Sequence, residues 1–156
     1  MSIRVLLADS SDVMRLAIVR VLEEEPLIKL VGEAIDFAET LQLSAALKPD
    51  VLLLDPHMPD EREYPAELVK LQVVLNTKRV VAISFWNDAD ARDLAKAFGA
   101  TALLDKTKLY SELLPAIRQF FPQVVMPVFI QRITKPFSEP SKRLAAVVVE
   151  ARLDAA

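Results

Sequence analysis

Lys48-Pro49-Asp50-Val51-Leu52-Leu53-Leu54-Asp55 carries the decisive pattern. Val51 to Leu54 are aliphatic without interruption, so the segment has no polar face to offer to water. A strand of that kind is buried on both sides, which is the habit of a parallel sheet. Pro49 separates it from the segment before, and Asp55 closes it. Working outward, the same short apolar type recurs at Ile3-Ala8, Ile28-Val31, Val80-Ile83 and Ala102-Leu104.

Segments of helical spacing lie between these runs. Met14, Ala17, Ile18, Val21 and Leu22 fall on one face of a first helix, and Leu113, Leu114, Ile117 and Phe121 on one face of a last. Weaker amphipathic stretches cover about 37–47, 65–75 and 88–98. Ser10, Ser11 or Asp12 can cap the first helix and Asn87 or Asp88 the fourth, which Gly99 would end in a left-handed cap. Five strand-then-helix units predict an α/β fold, a five-stranded parallel sheet with helices on both faces. Ligands of such folds bind at the carboxyl ends of the strands.

Composition narrows the chemistry. The 156 residues are 53% hydrophobic and 26% charged, enough for a packed core, and the net charge of -3 gives no global attraction to nucleic acid or to an anionic membrane. With no cysteine, disulfides, thiolate zinc sites and cysteine nucleophiles are excluded, and a single histidine allows no imidazole pair. Two glycines, Gly32 and Gly99, are too few for a Walker loop or a dinucleotide fingerprint. No signal peptide is visible, and the longest charge-free stretch, Gln119 to Gln131, is too short and too rich in proline to span a bilayer. The chain is expected to be soluble and cytoplasmic.

The predicted topology brings Asp9, Asp55, Ser84 and Lys106 to one edge of the sheet. Two carboxylates there can hold a divalent cation such as Mg²⁺, which wants oxygen ligands. A lysine and a hydroxyl beside a carboxylate suit the oxygens of a phosphoryl group, with the carboxylate as acceptor of an acyl phosphate. These residues lie within Val5-Leu6-Leu7-Ala8-Asp9, Lys48-Pro49-Asp50-Val51-Leu52-Leu53-Leu54-Asp55 with Met58-Pro59, Val81-Ala82-Ile83-Ser84, and Gly99-Ala100-Thr101-Ala102-Leu103-Leu104-Asp105-Lys106. In that order and register, over about residues 2–121, the sequence resembles the receiver domain of bacterial two-component response regulators, a flavodoxin-like fold.

The resemblance implies a phosphorylation switch in a phosphorelay rather than a metabolic enzyme. Asp55 would take a phosphoryl group from a sensor histidine kinase or phosphotransfer protein. Mg²⁺ would be held by Asp9, Asp55 and the backbone carbonyl of His57, while Ser84 and Lys106 would meet the phosphoryl oxygens. The change would reach the face made by the fourth helix, fifth strand and fifth helix, where a partner or a second copy docks.

Three positions depart from the family pattern. Ser10 stands where a second acidic residue is usual, and a hydroxyl is a poorer Mg²⁺ ligand than a carboxylate. Asp12 either compensates or caps the helix. Phe85 follows the switch hydroxyl where a small residue is usual, and Leu103 replaces an aromatic that turns inward on activation. These substitutions support an alternative reading, a pseudo-receiver kept as an interaction or dimerisation module. A flavin enzyme of the same fold is the weakest reading, because Asp9 and Asp12 stand where a phosphate-cradling loop is needed. His57 is read as an exposed loop residue without acid-base work, and with Trp86 it could at most influence water access to the phosphoryl group.

The expected division is a receiver over 1–121 and a C-terminal extension over 122–156 with one helix at about 141–153, not an independent domain. Its basic residues are spread out and it offers a single helix, so DNA binding by this chain is not expected. Its apolar run from Val124 to Ile130 must pack, on the receiver or on a second copy in a homodimer.

Overall fold

The structure is a computed structural model that describes residues 1–124. In chain order it contains β1 (Ile3–Ala8), α1 (Asp12–Glu23), β2 (Ile28–Ala34), α2 (Phe37–Leu47) and β3 (Val51–Leu54). There follow α3 (Ala66–Val74), β4 (Arg79–Ser84), α4 (Ala89–Ala97), β5 (Ala102–Asp105), a 3-10 turn at Lys106–Lys108 and α5 (Leu109–Phe120). All strands are parallel, in the order β2-β1-β3-β4-β5. The expected α/β sheet is thereby observed. The part of the anticipated extension from residue 125 onward, with its 141–153 helix, lies outside the described residues.

β3 sits at the centre, and each of its four residues is inaccessible to solvent. Burying each leucine contributes roughly 1.5–3 kcal/mol before entropy is counted. Successive strand residues point to opposite faces. Leu6, Ala8, Leu52 and Leu54 accordingly join Phe37, Met58, Val69, Val73 and Phe98 in one cluster. Phe37 and Phe98 stack there with ring centroids 5.2 Å apart. α2, α3 and α4 pack in succession, and α1 packs with α5.

The first helix starts at Ser11, whose hydroxyl accepts the Met14 N–H, and the fourth at Asp88, whose carboxylate accepts the Ala91 N–H at 2.8 Å. Gly99 has φ +82, the left-handed cap anticipated for it. Two expectations need correction. β2 runs to Ala34 rather than Val31, because its pairing with β1 shifts between Val5 and Leu6 and resumes at Gly32. A side chain at Gly32 would stand 3.0 Å from Leu47 Cδ1, so the bulge passes where only glycine fits easily. Ala17 is exposed, not part of the buried face. It lies about a quarter turn from the line through Met14, Ile18, Val21 and Leu22.

Candidate functional site

Register places the polar residues. Ala8 pairs with Leu54, so Asp9 and Asp55 leave adjacent strands together, and the Asp55 N–H donates to the Ala8 carbonyl at 2.9 Å. Ser84 is the last residue of β4 and pairs with Asp105, one before Lys106. Asp9, Asp55, Ser84 and Lys106 are all buried.

The ammonium of Lys106 lies 2.5 Å from Asp9 Oδ2 and 2.7 Å from Asp55 Oδ2. One cation thus bridges two carboxylates and leaves the trio with a net negative charge. The other oxygen of each carboxylate turns back on its own loop. Asp9 Oδ1 accepts the Ser11 N–H and Asp55 Oδ1 the His57 N–H, each at 2.8 Å. Ser84 Oγ accepts the Trp86 N–H at 3.1 Å, which orients the hydroxyl at the end of its strand.

Aromatic residues stand at the mouth. The Phe85 ring centroid is 5.2 Å from Lys106 Nζ, so the ring stands over the ammonium instead of lying back on the protein, while staying 54% exposed. His57 meets Trp86 edge-on at 5.2 Å, and its Nδ1 is 3.6 Å from Glu61. Beside them a cavity of about 240 Å³ is lined by His57, Trp86, Asp88, Asp90, Ala91 and Leu94. Next to Lys106, Asp105 accepts from the Thr107 hydroxyl and N–H, and these bonds hold its carboxyl below the ordinary value.

Asp12 does not enter the pocket. Its side chain is 89% exposed and pairs with Arg15 at the surface, so it cannot compensate for Ser10, itself exposed. Among the described residues no three His, Cys, Asp or Glu side chains gather around one point. The donor set for a cation is therefore Asp9, Asp55 and backbone. It still fits a hard divalent ion: Asp9 Oδ2 is buried without a hydrogen bond, its partner being the lysine charge alone.

Two residues here escaped sequence reasoning. Arg15 donates from Nη1 to the Asp9 carbonyl at 2.7 Å and its Nε lies 3.3 Å from Glu33, fixing the Asp9 peptide from behind. Asp60 accepts the Phe37 and Ala38 N–H groups at 2.9 and 3.0 Å. Arg15 could have been sought on the α1 face beside Asp12, while nothing in the sequence marks Asp60.

No protein-family model matches the chain. It is 34% identical over 116 residues to the transcriptional regulatory protein LiaR of Bacillus subtilis, covering 74% of this chain and 54% of LiaR. The chain thus spans about half the length of that regulator. The response regulator domain of Thermotoga maritima CheB superposes with a TM-score of 0.65 at 29% identity, over 76% of this chain and 96% of that one. The signal receiver domain of the response regulator NarL from Mycobacterium tuberculosis gives a TM-score of 0.60 at 30% identity, over 74% of this chain and 95% of that domain. The chain belongs to the receiver-domain family of response regulators. As a receiver it is part of two-component signalling, and its departures can be placed. Ser10 removes a charge at the rim, Phe85 covers the lysine, and Leu103, half-buried on the edge strand β5, pairs with Ala82 of β4.

Proposed function

We propose that this receiver takes a phosphoryl group on Asp55 and signals through protein contacts. The observation that carries it is the buried Asp9–Lys106–Asp55 arrangement at the carboxyl edge of the sheet. An Asp55 carboxylate oxygen would form the new bond to phosphorus. The bond to the donor, the imidazole nitrogen of a kinase or phosphotransfer protein, breaks with its electron pair leaving on the donor. Lys106 already sits within 2.7 Å of the acceptor and neutralises the oxygens that arrive. Ser84, whose oxygen accepts the Trp86 N–H, would turn its own O–H toward a phosphoryl oxygen. Asp9, Asp55 and the His57 carbonyl would hold Mg²⁺, which when bound screens the charge on the phosphoryl group.

A phosphoprotein of this kind acts as a switch and turns over no metabolite. Its expected partners are a histidine kinase or phosphotransfer protein and, at α4-β5-α5, a target or a second copy. Among the described residues no helix is long and apolar enough to cross a membrane. The pseudo-receiver reading draws on two observations, the uncharged exposed Ser10 and the Phe85 ring over Lys106.

Incubation with Mg²⁺ and acetyl phosphate, followed by intact mass, separates the two. A phosphate adduct on the wild type that is absent from Asp55→Asn supports the switch. No adduct, beside a control receiver that labels, overturns it and leaves the interaction module.

A further inference from the structure

We propose that Asp60 is a positioning residue for Asp55, acting through the N-terminus of α2; the proposal rests on Asp55 being the acceptor. A helix begins with four N–H groups that lack intrahelical partners. In α2 the three that belong to its first turn are accounted for. Glu39 N–H, the third, donates to Asp36 Oδ1 at 2.8 Å, the local cap, while Thr40 N–H to the Asp36 carbonyl at 3.1 Å is already the first intrahelical bond. The first and second, Phe37 and Ala38, donate to the two oxygens of Asp60, 23 and 22 residues away.

That clamp fixes the loop after Asp55 at its middle, five residues beyond the acceptor. Its near end is fixed by the Asp55 N–H on the Ala8 carbonyl. Between the two, Met58 is 3% exposed in the cluster with Phe37, and the Asp60 carbonyl accepts the Glu63 N–H at 3.0 Å. His57 therefore has little freedom, and its N–H is what holds Asp55 Oδ1 at 2.8 Å. The two carboxylate oxygens of Asp55 are thus differentiated, Oδ1 by the clamped loop and Oδ2 by Lys106. A carboxylate on two helix N-terminal donors also has the favourable sense of the helix dipole, so the loop is tied by charge as well as by geometry.

The test compares Asp60→Ala and Asp60→Asn with Asp36→Ala, which removes the local cap of the same helix and leaves the loop untouched. Amide hydrogen exchange at Phe37, Ala38 and His57 is read by NMR, and labelling by acetyl phosphate is timed on the same samples. Asp60→Ala should speed exchange at all three amides and slow labelling by about tenfold, since misplacement of a reacting group costs rate steeply. Asp60→Asn, which keeps the side-chain volume and one acceptor oxygen, should fall between. Asp60→Glu should recover part of the loss, and Asp36→Ala should loosen α2 without moving the His57 amide or the rate. If Asp60→Ala and Asp60→Asn free Phe37 and Ala38 yet leave His57 exchange and labelling at wild-type values, Asp60 is a helix cap only and the proposal is overturned. If the wild type does not label, the acceptor reading fails, and the His57 exchange still decides whether Asp60 positions the loop.

Discussion

Lys106 is a cation held by two anions with its side chain only 4% exposed, which makes it the residue whose loss the protein should feel most. Lys106→Met leaves Asp9 and Asp55 facing each other without a counter-charge. Urea unfolding at pH 7 should show a loss of about 3–5 kcal/mol, the cost of breaking a buried ion pair from one side. Added Mg²⁺ should restore more stability to this variant than to the wild type, because the ion takes the vacated place. Ser10→Asp is the converse change. It returns a carboxylate to the rim and should tighten Mg²⁺ binding by roughly tenfold through added ligand charge, followed by the emission of Trp86. No tightening would mean that position 10 stands too far from the pocket to matter. At this scale the sequence was informative where topology dictates position: Asp9, Asp55, Ser84 and Lys106 all close strands that must end at one edge. Asp60 was illegible because its partners are main-chain groups, the Phe37 and Ala38 amides, which leave no mark in a sequence; Arg15 shows in the sequence only as a neighbour of Asp12 on α1, and its bond to the Asp9 carbonyl does not.

Among the elements, α4 depends most on its ends. Its buried side chains are Ala91 and Ala95, with Leu94 partly buried against the core; the alanines bury little apolar area, so the Asp88 cap supplies a large share of what holds it. Asp88→Ala should cost about 1 kcal/mol, and amide exchange over 89–97 should rise before global unfolding. Gly99 guards the other end of the same helix. Gly99→Ala would put a Cβ 3.2 Å from Lys70 Cγ on a backbone with φ +82, and should lower stability by about 1 kcal/mol or more, read as a fall in Tm. Helix ends were legible here because caps have a side-chain chemistry. β2 was legible only in part. Its apolar run breaks at Gly32-Glu33, and the strand continues because an edge strand can expose Glu33 and absorb a bulge.

For the molecule as a whole, β3 joins two ends with different duties. At the amino end Asp50 accepts the Arg4 N–H at 2.9 Å and the Lys78 ammonium at 2.7 Å, while its own N–H and carbonyl reach Arg4 and Arg79. Burial pushes the Asp50 carboxyl up, but the Lys78 and Arg4 bonds outweigh it and hold the group below its ordinary value of 3.8. A carboxylate with a depressed folded pKa contributes its full stability above the unfolded value and loses it as pH falls through the folded one. Asp50→Ala should therefore be less stable by about 1–3 kcal/mol at pH 7, with the gap starting to narrow as pH nears 3.8 and narrowing further below it. A gap that closes already at pH 5 would point to other groups. The carboxyl end has the opposite character, since its charges are buried together and come from far apart in the chain. Asp9 emerges from the ribosome first, Asp55 next and Lys106 last. Until β5 is made, the nascent sheet carries two unneutralised carboxylates at its rim, and like charges work against closing it. The arrival of Lys106 removes that repulsion, so the step that completes the pocket is also the step that lets the last strand lock, and a chain stalled before residue 106 should remain open to proteases at its acidic edge.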